Sequence, residues 1–404
     1  MTNILFIYQR KMATTEGMHE IFTSEDAIRH GLIAKFVNTW HVNGTLLSWA
    51  DVLVFVRNHD LLAQWILGKA KRNGIFIIQF FDDDVLNIPR SEVNRVQFLP
   101  WRKKAVSDGF KNTDLILSSN LLLAKQYAQM IPSGRYATMD TVVDLKTLVS
   151  PEQKKKEYKE DKVKIVFAAG ANHEDMFNRY IEPILPALIE KYRKRLSFTF
   201  FGVHPDMSSY EGEIDIEYVS AMPLAQYRKA IQKGNFDLGL SPLESNDFTK
   251  YKYFNKFIEY TIAGITGIYS NILPYTLVVS DKVNGFLSGN TSDAWLQTMS
   301  LAIENEELRR YCYRNAYNYL LTHMDADSVM KKLKSDIPEM KKEHIEKGAI
   351  SVLSEKIQFV LVRCIECVYL VFEYIKLTGI SSTARKIKSY IKDQKIAKEE
   401  KLGE

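Results

Sequence analysis

The amino-acid sequence, 404 residues long, predicts an α/β protein built of two doubly wound domains facing each other across a cleft, with a helical tail behind them. Three observations carry that expectation. Short β-rich apolar runs alternate with amphipathic stretches through the first 150 residues, the pattern of strands joined by helices. At 151–162 the alternation is interrupted by PEQKKKEYKEDK, almost wholly polar and opened by a proline, and it restarts at residue 163. After about residue 335 the strand-like runs stop and one long amphipathic pattern takes over. The expected divisions are 1–150, 151–335 and 336–404.

In the first half the strand candidates are NILFIY at 3–8, DVLVFVR at 51–57, GIFIIQFF at 74–81 and DLILSS at 114–119. Stretches such as LLAQWILGKAKRNG lie between most of them, with apolar residues at helical spacing and a terminal Gly74. The second half offers VKIVFAAG at 163–170, LSFTFFG at 196–202, IEYVS at 216–220, FDLGLSP at 236–242 and TGIYSN at 266–271. Strands alternating with helices imply parallel, Rossmann-like sheets covered on both faces. Ligands of such sheets bind beyond the carboxyl ends of the strands, so the cleft is where chemistry is expected.

Composition bounds the function. Hydrophobic residues at 46% and charged residues at 25% describe globular domains with sizeable cores. A net charge of +5 argues against a dedicated nucleic-acid binder while allowing an anionic ligand or an acidic membrane surface. Three cysteines are too few for a disulfide framework and fit a reducing compartment. Cys364 and Cys367 form a C-x-x-C inside an apolar helical pattern with no second pair, so they read as packing residues rather than a metal or redox site. The opening MTNILFIYQRK reads as a first strand without a signal-peptide core, which predicts a cytoplasmic protein.

In the tail, between Ile357 and Leu377, the polar residues Gln358, Arg363, Glu366, Glu373 and Lys376 fall within an arc of about 140°. Charged side chains cost roughly 2.5–3.5 kcal/mol each near a bilayer centre, so a spanning helix is not expected. A lysine-rich segment follows, with Arg385, Lys386, Lys388, Lys392, Lys395, Lys398 and Lys401. The pattern predicts a helix lying on an anionic membrane surface, peripherally on the inner face of the plasma membrane. The alternative is a helix packed back onto the protein body.

Four segments deliver chemistry-bearing residues to strand or helix ends. FAAGANHED follows a strand, and Gly170 can let an anion approach the backbone ahead of a helix. DVLVFVRNHD delivers Arg57 and His59, one able to meet an anion and the other to exchange protons near neutral pH. QFFDDDVLNIP places Asp82, Asp83 and Asp84 after a strand, where helix capping or contact with a polar ligand is a better reading than a divalent metal. FTKYKYFNKFIEYTIAG, helical from about Lys252, would put Lys252, Lys256 and Glu259 on one stripe with Phe254, Phe257, Ile258 and Ile262 opposite. That stripe suits a solvated face as well as a ligand grip. No G-x-S-x-G, P-loop or G-x-G-x-x-G is present, which removes the common hydrolase, kinase and dehydrogenase readings.

The order of residues in FTKYKYFNKFIEYTIAG, followed by GIYSN and VNGFLSGNTSDAW, resembles the donor-binding segment of GT-B glycosyltransferases related to family 4. Phe248, Lys252, Lys256, Phe257, Glu259, Tyr260 and Gly264 match that pattern, while Thr249 and Tyr253 replace its asparagine and serine. GANHED, LRRYCYRNAYNYL, VRNHD and QFFDDDVLNIP add weaker likeness to bacterial polysaccharide members, and the whole covers about residues 1–325. The resemblance implies transfer of a sugar from a nucleotide-sugar donor to a glycan or lipid-linked acceptor, with retention and without an essential metal or separate cofactor. Glu259 matches the family's ribose-binding glutamate. The glutamate expected eight residues earlier is Tyr251 here, with Glu244 as a substitute. The implied donor site comprises Gly170, Asn172, His173, Lys252, Lys256, Glu259 and Glu244, with the two lysines meeting the diphosphate. Arg57 and His59 would assist the chemistry, and Asp82, Asp83 and Asp84 would line the acceptor side. The rival reading, motivated by Tyr251, is a degenerate GT-B protein that binds a sugar nucleotide or partner without turnover.

Overall fold

The computed structural model describes residues 1–88, 100–157, 162–169, 174–345 and 347–388. The first sheet contains β1 (Thr2–Tyr8), β2 (Leu32–Asn38), β3 (Val52–Val56), β4 (Phe76–Phe81), β5 (Leu115–Ser118) and β6 (Tyr136–Thr138), in the order β2-β1-β3-β4-β5-β6. The second contains β7 (Val163–Ala168), β8 (Leu196–Phe201), β9 (Asp215–Val219), β10 (Leu238–Ser241), β11 (Thr266–Ser270) and β12 (Phe286–Ser288), in the order β12-β11-β10-β7-β8-β9. The pairing is parallel throughout, with Ile4 opposite Val52 and Leu238 opposite Ile165. Each strand order reverses once, between β1 and β3 and between β7 and β10, and those two points open the crevices in which doubly wound folds bind ligands.

Side-chain alternation divides each sheet between two cores. Ile4 and Phe6 of β1 face the helix Ala13–Phe22, whereas Leu5 and Ile7 face the helix Leu61–Arg72. In β7, Ile165 and Phe167 take one side and Val166 and Ala168 the other. All nine predicted strands are present within a residue or two of their expected ends. β2, β6 and β12 are additional: β6 and β12 have three residues each, and β2 is a partly exposed edge strand, so none offers a buried apolar run.

Two local expectations fail. The polar stretch at 151–162 begins as a helix, Pro151–Glu157, rather than as free linker. Lys154 is buried there, its ammonium donating to Asn235 Oδ1 at 2.6 Å and to the Phe236 carbonyl at 2.7 Å, which ties the segment to the second domain. Cys364 and Cys367 are exposed rather than packed.

After the second sheet the described chain returns to the first domain. Val329, Met330 and Leu333 of the helix Ala326–Asp336 enter the core beneath β1, and Ile350, Val352 and Phe359 enter the core on the opposite face. The tail helix Leu353–Thr378 is continuous for 26 residues and stops at Gly379, whose φ of 78° lies in the left-handed region open to glycine. Residues 380–388 resume a helix.

Candidate functional site

The second sheet's crevice lies beyond β7 and β10. The residues after β7, including the candidates Gly170, Asn172 and His173, lie outside the described residues. After β10 the chain folds around Asn246, whose side-chain oxygen accepts from the Phe248 and Thr249 amides at 3.0 and 2.8 Å. Thr249 Oγ1 donates back to the Glu244 carbonyl at 2.6 Å. These short-range bonds explain why a polar loop holds one shape here. Ser245, Asn246, Asp247, Thr249 and Lys250, with Ile272 and Leu273 from the loop after β11, line a cavity of about 570 Å³. A larger hollow of about 770 Å³ lies at the outer edge strand β9, away from both crevices. Glu244 stays on the rim, paired at 3.0 Å with Arg179.

The predicted stripe of Lys252, Lys256 and Glu259 does not form, because the helix starts at Asn255 and Lys252 precedes it in extended conformation (φ −65°, ψ 159°). The reason lies across the cleft. Asn120, which follows β5, donates to the Lys250 and Lys252 carbonyls at 3.2 and 3.0 Å, and Tyr253 donates to Asp140 at 3.1 Å. Tyr251 packs against the first-domain cluster that contains Phe81 and Val85. Residues 250–253 are therefore held by the first domain, and the Lys252 ammonium sits 5.5 Å from the Phe248 ring centroid.

Within the helix Asn255–Ile262, Phe257 and Ile258 are buried in the sheet-facing core while Lys256 and Glu259 turn toward Tyr227. Lys256 Nζ donates to Glu259 Oε2 at 2.6 Å and to the Tyr227 hydroxyl at 3.3 Å, and that hydroxyl donates to the same Oε2 at 3.3 Å. Burial works against the Lys256 charge, but the Glu259 carboxylate, with Tyr260 and Tyr275 beside it, outweighs it and the ammonium's pKa is raised. Burial beside Glu259 pushes the Tyr227 hydroxyl far up, so it stays a neutral donor. Both bonds to Glu259 fall on Oε2, which leaves Oε1 for a ligand. Tyr227 was not legible as a site residue: it lies on the amphipathic helix Leu224–Gly234 with no motif around it.

On the facing domain, Arg57 leaves β3 with φ at 49°, a left-handed conformation uncommon outside glycine. Its amide donates to the Phe80 carbonyl at 3.0 Å, and its guanidinium meets Asp82 at 2.8 Å and Asp83 at 2.5 Å. Thr14 donates to the other Asp82 oxygen at 2.7 Å. Burial raises the Asp82 pKa against the pull of Arg57. Asp84 turns the other way into the core, accepting from Tyr127 at 2.7 Å and Asn87 at 2.8 Å. The three aspartates thus diverge, and among the described residues no group of three His, Cys, Asp or Glu side chains converges as metal ligands would. His59 does not match the expected exchange of protons near neutral pH. Burial, with Arg102 and Arg57 nearby, pushes its pKa down to about 3, so the ring stays neutral.

No protein-family model matches the chain, and no curated protein matches it. Solved structures do. The Anabaena protein HepE, crystallised with UDP and glucose, superposes with a TM-score of 0.58 at 10% identity, covering 84% of this chain and 100% of its own. Sucrose-phosphate synthase from Thermosynechococcus elongatus gives 0.58 at 9% identity, covering 84% and 99%. A glycosyltransferase from Rickettsia africae gives 0.52 at 13% identity, covering 85% and 99%. The architecture is that of the GT-B class, two parallel six-stranded sheets flanked by helices, with a helical tail.

Proposed function

We propose that the protein is a glycosyltransferase that moves a sugar from a nucleotide-sugar donor to a glycan or lipid-linked acceptor, with retention, in the assembly of a surface polysaccharide such as capsule or lipopolysaccharide. The observation that carries the reading is the cluster that Lys256 and Glu259, in the helix that follows the crevice loop of β10, form with Tyr227 of a neighbouring helix, with one Glu259 oxygen open to a ligand hydroxyl. HepE, with the same architecture, has been solved with UDP-glucose. In this reading Glu259 accepts from the ribose, oriented by Lys256 and Tyr227. As the sugar leaves, negative charge grows on the diphosphate and is met by the Lys256 and Lys252 ammonium groups and by backbone amides. The leaving phosphate itself takes the acceptor proton during same-face attack, and no protein nucleophile is assigned. Arg57, Asp82 and Asp83, braced against one another, line the acceptor side.

A second reading is favoured by Tyr251. Its ring packs on the first domain where the family pattern has a donor-binding glutamate, so a protein that holds a sugar nucleotide without turnover is the rival. Incubation with a panel of sugar nucleotides separates the two. Donor hydrolysis above the spontaneous rate supports the transferase, and saturable binding with no hydrolysis or transfer across the panel supports the rival.

A further inference from the structure

The tail helix Leu353–Thr378 is amphipathic in the reverse sense from a helix covering a core. Its inward contacts include ion pairs: Glu355 meets Lys69 at 3.0 Å, and Glu366, 2% exposed, meets Arg102 at 2.8 Å and Arg363 at 3.0 Å. Trp101 donates to the same carboxylate at 2.8 Å. Beside these, Phe359 packs between Trp40 and Trp65. The opposite face carries Ile357, Leu361, Ile365, Val368 and Phe372, all between 56% and 69% exposed. From Cys367 to Ile365 the exposed apolar arc spans about 160°, and no charged residue falls inside it. A two-helix seam needs only the narrower stripe of a and d positions.

We propose that this outer face is a docking surface for an anionic lipid bilayer, with the helix lying in the plane of the headgroups. Breadth is one argument for that occupant, because a bilayer covers the whole arc at once. Charge is the second: Lys376, Arg385, Lys386 and Lys388 are exposed at the end of the apolar face, where they meet anionic headgroups. Among the described residues no helix is long and apolar enough to cross a membrane, so the contact is one of lying on the surface. The ion pairs on the inner face fix the body against the helix, which orients the first domain relative to the lipid. The inference is independent of the transfer reaction.

The native cysteines provide the probe. Cys312 is buried, while Cys364 and Cys367 lie on the proposed lipid face and take a thiol-reactive, environment-sensitive dye. Full-length labelled protein should shift its emission to the blue with phosphatidylglycerol–phosphatidylcholine vesicles and far less with phosphatidylcholine alone. In flotation of the unlabelled chain, Leu361→Glu and Val368→Glu should each lower the vesicle-bound fraction about tenfold or more. Both positions are exposed, and circular dichroism of the variants checks that the fold is intact. Unchanged emission on vesicles, or variants that float as the parent does, would overturn the proposal. So would a stable dimer that Val368→Glu dissociates, without vesicle binding by the parent, since a second copy would then be the occupant.

Discussion

Replacing Arg102 with leucine strips the Glu366 carboxylate of its two-point partner inside the protein, at 3.0 Å to Nε and 2.8 Å to Nη2. The side chains are 3% and 2% exposed, so water cannot stand in for the lost guanidinium. Removing one member of a buried ion pair costs roughly 3–5 kcal/mol, and since Trp101 and Arg363 still donate to Glu366 the lower end applies. The carboxyl's acidity reports the net effect of all its surroundings, not of Arg102 alone. Burial acts to raise it, but Arg102, Trp101 and Arg363 together pull it from an ordinary 4.5 to about 2, equivalent to roughly 3 kcal/mol. Hydrogen exchange across Leu353–Thr378 reads this directly: Arg102→Leu should speed exchange there by roughly 100-fold, and Arg102→Leu/Glu366→Leu should recover most of the protection. The sign of the pH dependence follows. A depressed carboxyl contributes fully above 4.5 and loses its contribution as pH falls toward about 2, so the helix should loosen in that window and not between pH 5 and 8. Exchange within about threefold of the parent for Arg102→Leu would refute the clasp.

Three further outcomes are expected. The His59 ring should show no titration by NMR between pH 8 and 5, because burial holds its pKa near 3, and any pH dependence of activity in that range comes from another group. Lys154→Met removes a buried ammonium and strands Asn235 and the Phe236 carbonyl, so urea unfolding should report a loss of roughly 1.5–3 kcal/mol. Nucleotide binding between domains that each supply one wall should compact the molecule in small-angle scattering, with identical profiles at saturation counting against closure.

The sheets were readable because strands buried on both faces, such as those in NILFIY and GIFIIQFF, are near-continuous apolar runs. Three edge or near-edge strands escaped, since FLS and YAT are too short to carry a pattern and LIAKFVN is partly exposed. The helical stripe failed for a long-range reason: Asn120 holds the Lys250 and Lys252 carbonyls from 130 and 132 residues away and delays the helix to Asn255. Lys256 and Glu259 were identifiable from spacing, but the Tyr227 hydroxyl that bonds to both comes from a neighbouring helix. The amphipathicity of the tail was legible and its direction was not, because the partner of Glu366 lies 264 residues earlier in the chain. Local periodicity shows that a helix has two faces, while only tertiary partners decide which one turns inward.

The proposed nucleotide grip of Glu259 has one oxygen committed to Lys256 and Tyr227 and the other to the ligand. Its most direct test is calorimetric titration of the parent and Glu259→Ala with the nucleoside diphosphate of whichever donor the panel selects. Glu259→Ala should bind it roughly 10- to 100-fold more weakly, the loss of hydrogen bonds to a charged group worth about 1.5–3 kcal/mol. Equal affinity in the two proteins would contradict it.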